Sequence, residues 1–111
     1  MASLESYKDI ICALLSEYVS TPVSNGEIEC YTIFDEKQGH YQVMNVGWDG
    51  HRRVYGCVLH VAIKKEKVWI EQNMTEMRIA QALVDRGVNP DDIVLGFQAP
   101  ELRPFTAYAS A

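Results

Sequence analysis

The chain has 111 residues, 48% of them apolar and 23% charged, which excludes a disordered or collagen-like chain and leaves room for one domain spanning residues 1–111. Its apolar runs are too short for a membrane helix, and its start carries carboxylates where a signal peptide would be basic and then apolar, so a cytoplasmic protein is expected. The net charge of −5 argues against a domain that coats DNA phosphates, yet residues 37–67 alone are net +4, between flanks of −6 over residues 1–36 and −3 over residues 68–111.

Leu4, Tyr7, Ile11, Leu14, Leu15 and Tyr18 recur at helical steps and predict an amphipathic helix over roughly residues 4–19. Ser3 or Ser6 caps its start, and Thr21-Pro22 ends it, because the residue before proline avoids the helical region. Asn25-Gly26 marks a turn. Four strand-like runs follow: Ile28 to Asp35, His40 to Trp48, Arg53 to Ile63 and Lys67 to Glu71. Lys37-Gln38-Gly39, Asp49-Gly50 and Lys64-Lys65-Glu66 supply the short connections of an antiparallel meander. Thr75 precedes a second helix striped by Met77, Ile79, Ala80, Leu83 and Val84, and Gly87 closes it. Asn89-Pro90-Asp91-Asp92 reads as a capped helical turn. Leu95 to Ala111 is expected to be mostly irregular. The layout is α+β: an N-terminal helix, a four-stranded antiparallel meander, a second helix and an irregular tail, with the helices on one face.

No catalytic template is complete. Phosphate-binding glycine loops and a nucleophile elbow are missing. Cys12, Cys30 and Cys57 fall inside regular elements, where buried unreactive thiols are usual. Cys57-x-x-His60 is the one metal-like spacing. Residues three apart on a regular strand point to opposite faces, so no metal site is expected. Asp35-x-Lys37 with Glu27 and Glu29 lacks the two-strand arrangement of a metal-dependent nuclease. No catalytic residue, metal or cofactor is therefore assigned.

Two surface features remain. His51, Arg52 and Arg53 at a hairpin tip, with Lys64, Lys65 and Lys67, are candidate contacts to DNA or to a partner. Trp48, Trp69, Tyr31, Tyr41 and Tyr55 load the sheet with aromatics, which on a bare face would form an interface. A small domain with two helices over a four-stranded sheet is also expected to be a homo-oligomer. Polar groups at Glu71, Glu76, Arg78 and Arg103 are the residues a small-molecule site would use.

Asn45-Val46-Gly47-Trp48-Asp49-Gly50 running into Arg53-Val54-Tyr55-Gly56-Cys57, then Val68-Trp69-Ile70-Glu71 before Thr75-Glu76, then Asp92 to Phe97 with Pro100, Arg103 and Thr106, resemble the motifs of the XisI-type family. The matches occur in the family's order and span nearly the whole chain. The family takes its name from the fdxN element excision controlling factor of cyanobacteria. The resemblance implies a non-enzymatic accessory role in programmed site-specific DNA excision during heterocyst development. It also implies a XisH-like, nuclease-fold companion, a separate recombinase that acts on the DNA, and indirect DNA contact. A small-ligand-binding or regulatory role unrelated to excision is the alternative. The family supplies no catalytic residues to carry over. The chain departs from the pattern at Tyr55 and Gln98, where histidine is common, at Ala99, where proline is, and at Asn73-Met74, where Asp-Gly is, so roles for those histidines are absent here. Gly47, Gly56, Gly96 and Phe97 in the shared motifs read as structural, because glycine in a strand lets a backbone or ring approach closely.

Overall fold

A computed structural model describes residues 4–20 and 27–110. Helix α1 (Leu4–Ser20) buries Tyr7, Ile11, Leu14 and Leu15 of the stripe read from the sequence, while Tyr18 is partly buried and Leu4 is exposed. The Ser3 cap, the Thr21-Pro22 stop and the Asn25-Gly26 turn lie outside the described residues. Strands β1 (Ile28–Asp35), β2 (His40–Asp49), β3 (Arg52–Lys64) and β4 (Lys67–Asn73) form the expected antiparallel meander.

The sheet has a fifth strand, β5 (Ile93–Leu95), which runs parallel to β4 at the edge. This corrects the four-stranded, wholly antiparallel expectation. Three residues are too few to show alternation, and their partner strand lies across the crossover that carries helix α2 (Ile79–Asp85). The tail is also less irregular than its prolines suggest: Pro100–Phe105 is a 3-10 helix, and Ala109 bridges Val94 beyond β5.

Helix α2 starts later than the sequence stripe suggests. Asn73 donates to the Met77 carbonyl, and Thr75 Oγ1 accepts from the Met77 N–H, so residues 74–78 form a side-chain-stapled turn instead of helix. Gly87 then closes α2 with φ of 111°. Asn89 accepts from the Asp91 N–H and caps a 3-10 turn over Pro90–Asp92, as its sequence pattern requires.

The core lies between the helices and one face of the sheet, with Tyr41, Val43, Leu59, Val61, Val68, Ile70 and Ile93 buried against α1 and α2. Two bulges reset the strand alternation. One leaves Val58 without a partner between the Cys57–Met44 and Leu59–Val43 pairs. The other leaves Glu71 extra between the Ile70–Val61 and Gln72–His60 pairs. Each bulge turns two successive residues to one face. Cys57 and His60 consequently share the outer face, contrary to the opposite placement expected of a regular strand.

Candidate functional site

The outer face divides into two halves. Over β4 and β5 the tail returns and covers it. The Arg103 guanidinium lies 5.2 Å and Lys64 Nζ 4.3 Å from the Trp69 ring centre. Arg103 also donates to the carbonyls of Gln98 and Gly96, which ties the tail to the sheet end. Val94 and Ala62 are fully buried here although both face away from the helices. Trp69 is thus a partly covered packing residue whose buried indole N–H has no partner among the described residues, and not a free interface aromatic.

Over β1 to β3 no other described element covers the outer face, the bare half of the sheet. Tyr55 is 70% exposed, Trp48 47% and Tyr31 41%. Arg53 lies across the first two, 5.3 Å from the Trp48 ring centre and 5.9 Å from that of Tyr55. A guanidinium stacked on aromatic rings is held in place without losing its hydrogen-bonding edge. Tyr41 corrects the sequence reading: it is fully buried on the helix side, and burial pushes its hydroxyl pKa up to about 12. Its parity is that of Val43, which fixes it to the core face.

The basic residues do not form one patch. His51, Arg52 and Arg53 sit at the β2–β3 tip, and Lys64, Lys65 and Lys67 at the far end of β3. A 13-residue strand separates them by about 40 Å, at roughly 3.3 Å per residue. Several are already engaged: Arg52 with Asp49 at 3.5 Å, Lys64 with Glu71 at 3.0 Å.

His40 and His60 meet on the outer face, with Nδ1 of one 3.1 Å from Nε2 of the other. Burial, and then the neighbouring His40, lower the His60 pKa. No group of three metal-ligating side chains occurs among the described residues. All three thiols are free and half-buried, and burial raises each above its ordinary pKa, which disfavours the nucleophilic thiolate.

The family-motif residues are mostly architectural. Gly47 passes against the backbone of Glu27 and Ile28, and Gly96 against Glu71, where a Cβ would overlap. At Gly56, by contrast, a Cβ would meet open space, so close approach does not explain that glycine. Thr75 staples the turn before α2, while Glu76, Phe97 and Pro100 are exposed. A feature the sequence reading missed is an open cavity of about 370 Å³ between α2, the ends of β4 and β5, and the tail. Ile70, Asn73, Arg78, Leu95, Phe97 and Tyr108 are among its lining residues. Of the four polar residues suggested for a small-molecule site, only Arg78 lines it. Glu71 and Arg103 belong to the other face of the sheet.

No helix among the described residues is long and apolar enough to cross a membrane. No curated protein matches the chain. The structure is similar to the crystal structure of a XisI-like protein from Anabaena variabilis, with 45% identity and a TM-score of 0.91 over 97% of this chain and 99% of that one. It is also similar to the crystal structure of the fdxN element excision controlling factor XisI from Anabaena variabilis, with 31% identity and a TM-score of 0.79 over 95% of this chain and 96% of that one. The XisI protein family matches residues 1–110, and the chain belongs to that family.

Proposed function

We propose that the protein is a non-enzymatic controlling factor for site-specific DNA excision of the fdxN element type, and that it acts through a XisH-like protein companion. Its link to DNA and to the recombinase is indirect. Family membership and the solved relative's name as an excision controlling factor support the excision role. The split of the basic residues between the two ends of β3 supports the indirect link, because among the described residues they form no continuous cationic track to follow phosphates. Within the tail, Phe97, Leu102 and Phe105 are exposed, Phe105 by 87%, and offer the companion an apolar surface.

Co-purification tests this reading. The full chain and the XisH-like protein are expected to elute together at micromolar concentration. A Leu102→Glu, Phe105→Glu variant is expected to elute alone while keeping its circular dichroism. Clean separation of the wild-type proteins would overturn the reading.

The cavity beside Arg78 supports a second reading, a small-ligand-binding regulator, because its volume is within the usual range for ligand sites. Native mass spectrometry of the purified protein separates the two. A retained small molecule that Arg78→Ala releases favours the second reading.

A further inference from the structure

We infer that the bare half of the outer face is the interface for a second copy of this chain, packed sheet on sheet about a two-fold axis parallel to the strands. The strand pairings place Tyr31 and Ile33 of β1, Met44, Val46 and Trp48 of β2, and Tyr55 of β3 on this face. Tyr31, Ile33, Trp48 and Tyr55 are exposed. The tail that shields β4 and β5 does not reach them. Contiguous apolar and aromatic surface of this kind is what a sheet presents where another layer covers it.

Charge selects both the occupant and the axis. On this face β1 contributes acids and no base, whereas β3 contributes bases and no acid. Glu29 is exposed and has no ion-pair partner among the described residues. It shares a cross-strand row with Val46 and Tyr55, one row from Arg53. A two-fold axis along the strands lays β1 of one copy over β3 of the other. Each Glu29 then comes within side-chain reach of the other copy's Arg53, twice per dimer. A two-fold axis across the strands would instead lay β1 on β1, acid against acid. Edge pairing of β1 with β1 would likewise gather Glu29 and Asp35 from two chains with no cation on either strand. Asp35 and Lys64 repeat the acid–base relation at the other end of the face, although Asp35 already accepts from Gln38 and Lys64 from within the same chain is paired with Glu71. Because the arrangement is isologous, it closes at two copies.

Sedimentation velocity on the full chain, from about 1 to 100 μM, tests the assignment. The wild type is expected to sediment as a dimer of the 12.6 kDa chain. Val46→Glu, at the centre of the face, is expected to yield a monomer. Glu29→Arg and Arg53→Glu are each expected to weaken the dimer about tenfold or more, and the double variant to restore it to within about threefold. Each single variant is expected to keep the circular dichroism of the wild type, which separates a lost interface from a lost fold. A monomeric wild type at 100 μM overturns the assignment. So does a dimer indifferent to Val46→Glu, or a double variant no better than the singles.

Discussion

The Glu71 carboxylate occupies the space that a side chain on Gly96 would take. Alternation from Trp69 puts Glu71 on the outer face, where Lys64 Nζ holds its other oxygen at 3.0 Å. Gly96→Ala is expected to destabilise the protein by about 1–3 kcal/mol, measured as a shift of the urea midpoint. Because the obstruction is the free end of a side chain, Gly96→Ala combined with Glu71→Ala is expected to recover part of the loss. Gly47 offers no such relief. There the Glu27 carbonyl and the Ile28 backbone stand in the way, so Gly47→Ala is expected to destabilise whatever side chains surround it.

Tyr7 fastens α1 to the turn before β5. Its hydroxyl donates to Asp92 Oδ2 at 2.6 Å and accepts from the Asn89 N–H at 3.3 Å. Burial and the Asp92 carboxylate both raise its pKa, so the bond persists across the neutral range. Tyr7→Phe keeps the ring in the core and removes only the oxygen. A loss of about 1–3 kcal/mol in denaturant unfolding is expected, because a charged acceptor and a backbone donor both lose their partner.

The β3–β4 hairpin closes through Lys65 and Glu66, both in the left-handed region with φ of 52° and 65°. Two-residue turns of this kind favour Asn-Gly, since a Cβ is strained there. Lys65→Asn with Glu66→Gly is therefore expected to raise stability by about 1 kcal/mol, visible as a higher melting temperature.

The His40–His60 pair is expected to make stability pH-dependent. His60 is held below its ordinary pKa, chiefly by burial and then by His40, with Lys64 adding to the depression and Glu71 opposing it. A histidine whose folded pKa is depressed contributes stability that is full above its unfolded value, about 6.5, and is lost as pH falls through the lower folded value. The urea midpoint is expected to fall between pH 7 and 5 more steeply in the wild type than in His60→Gln. Equal slopes would show that the pair carries no such linkage.

Most of the meander was legible because β1 and the start of β2 alternate cleanly. Tyr41 and Val43 have one parity and one destination, so Tyr41 was available as a core residue from its phase alone. The same logic fails on β3. Tyr55 and Val61 share parity, yet the bulge at Val58 sends the first outward and the second into the core. Nothing in the local residue types marks that extra residue. Strand β5 escaped for a different reason: its pairing with β4 is made after a crossover, and three residues carry no period. The basic middle of the sequence shows how far linear charge can mislead, since one long strand moves its two halves to opposite ends of the molecule.

In the proposed role the protein meets DNA through its companion and not through its own cations. A DNA titration at about 50 mM salt, where electrostatic binding is strong, tests it most directly. The chain alone is expected not to bind. With the XisH-like protein present, binding is expected, with a salt slope unchanged when Lys64, Lys65 and Lys67 are replaced by Gln. Tight binding by the chain alone, weakened by Arg52→Ala and Arg53→Ala, would contradict the account.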